Sequence, residues 1–145
     1  MIAAAGNAGP KSPPLYPGAD PNVIAVSAVD VDDNVYVNAN RGKYVAVSAP
    51  GVDILVPAPD GNYEFTTGTS VAAAHVSGVA ALLLQRDPHL DPAAIRQILT
   101  ATAKNPSGAK GRNDELGYGV VDPERALNSL NAKSAGAPAT TGRAN

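Results

Sequence analysis

The sequence has 145 residues, no cysteine and a formal net charge of −2, with 17% charged residues against the ~25% usual for soluble domains. This length accommodates one domain with a buried core, and the lack of cysteine excludes disulfides, thiolate metal sites and a thiol nucleophile. Mixed charges without a basic tract predict no nucleic-acid partner.

The first half of the chain contains short apolar runs that have the composition of buried parallel strands. They are Ile2–Ala5, Val23–Val29 and Tyr44–Val47. Two further runs, Ile54–Val56 and Tyr63–Thr66, are separated by Asp60 and Gly61, which indicates a β-hairpin.

Helix signals dominate the second half. The segment from Thr69 to Gln85 predicts a helix, and Asp91 followed by Pro92 predicts the start of another that ends near Ala103. A last short helix is predicted from Asp122. Strands followed by helices predict an α/β layered fold with a parallel sheet.

Low sequence complexity marks the C-terminal segment. Ala, Ser, Gly, Pro and Thr dominate Ala132 to Asn145 without periodicity. This composition predicts a disordered tail or linker after a domain at residues 1–131.

The run from Val71 to Leu84 is almost entirely apolar, yet it is short of the ~20 residues of a membrane span and contains His75, Ser77 and Gly78. Its apolar residues occupy every side of a helix. A helix buried between other layers, with no membrane contact, is therefore expected.

The segment "DVDDNV" places Asp30, Asp32 and Asn34 at calcium-loop spacings. However, Val35 stands where such a loop needs glycine, and Arg41 stands where it needs glutamate. The pattern predicts a turn between strands, and we expect neither metal nor cofactor.

Ser70 has two interpretations. Thr69 or Ser70 could cap the helix, with Gly68 permitting the entry turn, or Ser70 could be a nucleophile. His75 lies about 140° around the helix from Ser70, and His89 lies beyond the helix end. Neither is expected to act as its base, and His75 is predicted to be a buried, hydrogen-bonded structural residue.

Five stretches in one order favour the nucleophile. "AAAGNAGP", "YPGADPNVIAVSAVD", "SAPGVDI", "TGTSVAAAHVSGVAALLL" and "GYGVVD" together resemble the C-terminal half of a subtilisin-like serine protease over about Ile2 to Leu130. The resemblance implies a three-layer α/β fold with a parallel central sheet, of which only the C-terminal part is present. It implies a polypeptide substrate.

The resemblance also assigns residues. Ser70 would be the nucleophile, and the side chain of Asn7 would form the oxyanion hole with the backbone N–H of Ser70. The remaining candidate substrate-binding residues are Ala4, Ala5, Gly6, Leu15, Gly68 and Thr69. Without the resemblance, Asn7 is a turn residue after a strand.

Leu15 precedes the Tyr-Pro-Gly segment that lines the primary specificity pocket in the family, opposite Ala4 to Gly6. It would fill volume there and favour small or medium apolar residues before the scissile bond. The alternative is that Leu15 packs into the core beside Pro14.

The chain departs from the family in lacking an Asp-Thr-Gly or Asp-Ser-Gly motif after a strand and any His-Gly-Thr. The expected function is a serine endopeptidase fragment, inactive alone. The alternatives are an inactive subtilisin-like binding module and a half completed by a partner chain or a second copy. The residues that follow Met1 lack the basic and long apolar regions of a signal peptide, although the resemblance implies a secreted or periplasmic full-length protein.

Overall fold

The computed structural model describes residues 1–135, and its centre is a parallel sheet of three strands. Strands β1 (Ile2–Ala4), β2 (Ile24–Val29) and β3 (Val45–Pro50) lie in that order, so β2 is central. Every residue of β2 is buried, as expected for a parallel strand covered on both faces. The α/β class and the parallel sheet are confirmed.

Strand β3 begins one residue later and ends three residues later than the predicted run Tyr44–Val47. The added residues are Ser48, Ala49 and Pro50, which pair with the end of β2. Ser48 is fully buried, and its hydroxyl finds a hydrogen-bond partner there by donating to the Leu116 carbonyl at 3.1 Å. The sequence pattern missed this extension because a buried serine needs a distant partner that composition does not reveal.

Helix α1 (Thr69–Arg86) packs against all three strands of the sheet. Its buried side consists of Thr69, Ala72, Val76, Val79, Ala80 and Leu83. The prediction of burial on every side is wrong in this chain, since Leu82 and Leu84 remain 45% and 38% exposed. The prediction of a buried His75 is also wrong, because this residue is exposed beside them.

Helices α2 (Pro92–Thr102) and α3 (Pro123–Ala135) complete the core. Both begin where the sequence indicates, since the Asp91 carboxylate accepts the Ala94 N–H at 2.7 Å and the Asp122 carboxylate accepts the Arg125 N–H at 2.9 Å. Helix α3 continues past the expected boundary at residue 131. Its last residues include neither Gly nor Pro, which first recur at Gly136.

The remainder of the expected tail, residues 136–145, lies outside the described residues. The antiparallel hairpin of β4 (Ile54–Pro57) and β5 (Tyr63–Thr66) is confirmed, with a short turn at Pro59–Gly61 between the strands. Asp60 and Gly61 both have positive φ in this turn, at 69° and 75°. The Asp-Gly pair therefore supplies the left-handed residues that reverse the chain.

The segment Asp30–Asn34 forms the turn that the sequence predicts. The Asp30 carboxylate accepts the backbone N–H groups of Asn34 and Asp32, at 2.8 and 2.9 Å, together with the Asn34 side-chain amide. These donors hold the pKa of Asp30 below its usual value, the Asn34 backbone N–H most strongly. The carboxylate is thus occupied in shaping its own turn.

Residues 1–135 lack both a membrane-spanning helix and a cluster of metal-binding side chains. No helix there has the length and hydropathy to cross a membrane. The same residues contain no cluster of three His, Cys, Asp or Glu suited to hold a metal ion.

We expect the isolated chain to self-associate, because apolar surface is open beside the edge strand β1. A cavity of about 270 Å³ is lined there mainly by apolar side chains, including Ile2, Leu84 and Ile95, and Met1 is 74% exposed. Sedimentation should show concentration-dependent association that Leu84→Lys reduces, since lysine keeps its charged group in water. A monodisperse monomer with concentration-independent melting would contradict this expectation.

Candidate active site at the start of helix α1

Ser70 is exposed in the first turn of α1, and no cap of that helix comes from its own side chains. The prediction that Thr69 or Ser70 caps the first turn is therefore wrong. Gly68 occupies the N-cap position, and the Thr69 N–H is instead accepted at 2.9 Å by the side-chain oxygen of Asn7. The helix start is thus capped by a residue 62 positions earlier in the chain.

Thr69 fixes the Asn7 side chain in one orientation. Its hydroxyl donates to Asn7 Oδ1 at 2.9 Å and accepts the Gly6 N–H at 3.1 Å. Asn7 Oδ1 therefore receives two donors from Thr69, which directs the amide nitrogen Nδ2 to the opposite side. Thr69 itself is fully buried, so this network is held within the protein.

Three polar atoms surround a small open space beside Gly68. A Cβ atom built on Gly68 would lie 3.3 Å from Asn7 Nδ2, 3.3 Å from Ser70 Oγ and 3.9 Å from the Ser70 backbone nitrogen. The backbone at Gly68 is extended, with φ 165°, so its conformation does not demand glycine. The missing side chain instead leaves room between two N–H donors and a hydroxyl.

Gly51 supports the turn that contains Gly68. The Gly68 N–H donates to the Gly51 carbonyl at 2.7 Å. A Cβ on Gly51 would come within 2.8 Å of the Gly68 carbonyl oxygen and of the Ala28 Cβ. Only glycine allows this approach, although the sequence offered no sign of the contact beyond the Pro-Gly pair.

The segment Leu15–Gly18 lies against the end of β1. A Cβ on Gly18 would meet the Ala4 carbonyl oxygen at 2.5 Å, and a Cβ on Gly6 would meet Leu15 Cδ1 at 2.8 Å. The structure thus brings Ala4, Gly6 and Leu15 together, as the sequence predicts. Leu15 is 42% exposed, so it is not a core residue.

Tyr44 hydrogen-bonds to the backbone of Ala5, a role that the sequence did not predict. Its hydroxyl donates to the Ala5 carbonyl at 3.0 Å, and Ala5 is fully buried. Burial raises the pKa of Tyr44, and the Asn40 side-chain amide nearby acts more weakly in the opposite direction. A tyrosine at the start of a strand gives no sequence signal for such a role.

The two histidines do not approach Ser70 as a general base would. The His75 ring nitrogen Nδ1 pairs with the Val71 carbonyl of its own helix at 3.1 Å, and His89 follows the far end of α1. Among residues 1–135, no hydrogen bond involves the Ser70 hydroxyl. Among the described residues, the groups beside Gly68 are therefore the Ser70 hydroxyl and two N–H donors, and neither histidine hydrogen-bonds to that hydroxyl.

Comparison with known proteins identifies the family of this chain. Residues 1–119 match the subtilase family, and the chain belongs to it. Fervidolysin from Fervidobacterium pennivorans is 38% identical, and the match covers 88% of this chain and 21% of fervidolysin. Subtilisin DY from Bacillus licheniformis is 36% identical, and the match covers 87% of this chain and 46% of subtilisin DY. The chain thus spans less than half of these relatives.

The structural comparison gives the same fold. The crystal structure of fervidolysin, described as a keratinolytic enzyme related to subtilisin, superimposes with a TM-score of 0.80 at 37% identity. The match covers 88% of this chain and 22% of that structure. A subtilisin-like α/β fold is therefore established for the matched part.

Tyr44→Phe should cost about 0.5–1.5 kcal/mol of unfolding free energy at pH 8, because the Ala5 carbonyl loses its donor. Since the folded-state pKa of Tyr44 is raised, this stabilisation is complete below the usual tyrosine pKa of about 10 and disappears as pH rises through the folded value. Denaturation of both proteins at pH 8 and above pH 10 measures the difference.

Tyr63→Phe is the matched control for this experiment, because Tyr63 is 68% exposed. It should leave stability unchanged at either pH. An ultraviolet titration should also show that Tyr44→Phe removes a late phenol ionisation, one that lies above the usual tyrosine pKa. Equal loss of stability in both variants, or an unchanged late ionisation, would contradict the assigned role of Tyr44.

Proposed function

We propose that this chain is the nucleophile-bearing part of a subtilisin-like serine endopeptidase. The observation that supports it best is the space beside Gly68, which Asn7 Nδ2, Ser70 N and Ser70 Oγ all approach within 3.9 Å. A peptide carbonyl oxygen in this space would have two N–H donors as it acquires negative charge, with the serine oxygen beside its carbon.

In this reaction Ser70 Oγ forms a bond to the carbonyl carbon, and the carbonyl π bond breaks to give an oxyanion. Asn7 Nδ2 and the Ser70 N–H stabilise that charge, assisted by the positive end of α1. The C–N bond then breaks, the amine departs with the proton taken from Ser70, and water later releases the acyl group.

The proton transfer needs a general base, and none of the described residues contacts the Ser70 hydroxyl. We therefore assign the base and its orienting carboxylate to a histidine and an aspartate outside this sequence, on an upstream segment or a partner chain. The isolated chain is then almost inert, because oxyanion stabilisation alone leaves only a small residual rate.

The substrate is a polypeptide, and Ala4 and Gly6 together with Leu15 form part of the wall that contacts the residue before the scissile bond. The expectation that Ala5 also binds substrate is wrong, because Ala5 is fully buried. Support comes from the close approach of Leu15 Cδ1 to Gly6, whose φ is +115°. The relatives named above do not identify the natural substrate of this chain. An inactive binding module is the second candidate, favoured by the lack of a base beside Ser70.

A fluorophosphonate probe tests the proposed nucleophile. The isolated chain should label slowly, whereas the chain joined to a subtilase segment that bears the aspartate and histidine should label rapidly at Ser70. In the joined protein, Asn7→Ala should lower kcat by about 100- to 1,000-fold, the cost that loss of this donor has in subtilisin itself. Gly68→Ala should also lower kcat, because its methyl group would occupy the oxyanion space.

Ser70→Ala provides the control, since it should abolish labelling without changing the melting temperature by much. Rapid stoichiometric labelling of the isolated chain would show that no external base is needed. No labelling of a folded, joined protein would favour the inactive module.

Leu15→Gly should widen the specificity pocket in the joined protein. Cleavage after large aromatic residues should rise by about 10- to 200-fold, the range for one to three kcal/mol of relieved exclusion. A peptide library read by mass spectrometry compares the two proteins. An unchanged profile would place Leu15 outside the pocket wall.

A further inference from the structure

We propose that Asn40 is a positioning residue for catalysis, which fixes the backbone on both sides of Asn7 and so holds the oxyanion donor at its working distance. The inference rests on the proposed function, since it assigns Asn40 a part in the same reaction. Asn40 lies 33 residues after Asn7, in the loop before β3, and it is fully buried.

Two hydrogen bonds join Asn40 to the neighbours of Asn7. The Asn40 backbone N–H donates to the Gly6 carbonyl at 2.9 Å, and Asn40 Oδ1 accepts the Ala8 N–H at 2.8 Å. Gly6 and Ala8 flank Asn7 directly, so one residue fixes the chain before and after the donor. Asn7 itself is exposed, and its side chain, though oriented by Thr69, does not fix the backbone of Ala8.

No other contact of this loop among the described residues fixes the backbone on both sides of Asn7. Ala5 is held from β2 and by Tyr44, and the Gly9 N–H donates to the Asn38 carbonyl at 2.9 Å. Thr69 orients the Asn7 amide but bonds only one flanking backbone group, the Gly6 N–H. The Ala8 N–H donates to Asn40 Oδ1, so the position of the backbone directly after Asn7 depends on the Asn40 side chain.

Asn40 is itself held firmly. The next residue, Arg41, forms an ion pair with Glu115, and the Gly42 N–H donates to the Asp114 carbonyl at 2.8 Å. These contacts of the two residues that follow Asn40 join its loop to the segment at Asp114 and Glu115.

The side-chain nitrogen of Asn40, Nδ2, lies close to Gly6. Nδ2 is buried and makes no hydrogen bond of good geometry among the described residues, although the Asn40 side chain acts on Tyr44, and a Cβ on Gly6 would lie 2.4 Å from Nδ2. The Oδ1 atom of the same amide accepts the Ala8 N–H, so one buried side chain lies against Gly6 and bonds to Ala8, on either side of Asn7.

Asn40→Ala tests the role because it removes Oδ1 and keeps the backbone bond to Gly6. In this chain, hydrogen exchange at the Ala8 amide should accelerate about tenfold, the effect of losing one hydrogen bond. In the joined, active protein, kcat should fall by about 10- to 100-fold with KM little changed, because a displaced donor weakens transition-state stabilisation. Asn40→Asp keeps an acceptor and should restore most of the Ala8 protection.

Ser48→Ala is the matched control, since it also removes one hydrogen bond between a buried side chain and a distant backbone group, in this case the Leu116 carbonyl that accepts from the Ser48 hydroxyl. It should lower stability and leave Ala8 exchange and kcat unchanged. The decisive comparison is Asn40→Ala in an Asn7→Ala background, where the effect on kcat should vanish if Asn40 acts through Asn7.

An equal fall of kcat with and without Asn7, or unchanged exchange at Ala8, would overturn the inference. If the joined wild-type protein neither labels nor cleaves, the proposed function fails. The exchange experiment on this chain then still decides whether Asn40 fixes the Asn7 loop.

Discussion

The contact between Asn7 Oδ1 and the start of α1 unites the parts of this structure on which its chemistry depends. One oxygen accepts both the backbone N–H and the hydroxyl of Thr69, so the loop after β1 and the first turn of α1 share a single acceptor. A helix start requires an acceptor, and an asparagine that supplies it has its Nδ2 oriented as a result. The stability of the helix and the direction of the donor therefore depend on the same bond.

Helix starts and the parallel sheet were predictable because their causes are local. Asp91 and Asp122 cap the helices that they precede, and the Asp60-Gly61 pair forms the hairpin turn. The cap of α1 was not predictable in this way, because its acceptor lies 62 residues away. The local Thr-Ser signal at that helix was therefore misleading.

The residues of the candidate site also differ in whether a local sequence pattern reveals them. The ordered motifs identified Ser70, Asn7, Gly6 and Leu15, and the fold brings them into two adjoining clusters. The supporting residues Tyr44 and Asn40 carry no motif, because each acts through one long-range bond to the backbone. His75 was assigned to the interior from helix composition alone, which says nothing about whether a neighbouring layer covers that side.

Gly6 and Gly68 are glycine for different physical reasons. Gly6 has a φ of +115°, a conformation that any side chain would strain, whether or not the protein catalyses a reaction. Gly68 has an extended backbone that every residue can adopt, so a side chain there would meet only the close approach of Asn7 Nδ2 and Ser70 Oγ, each 3.3 Å from an added Cβ, and would occupy the space that the proposed reaction needs. Under genetic drift, a protein released from catalysis would keep the first glycine and be free to lose the second.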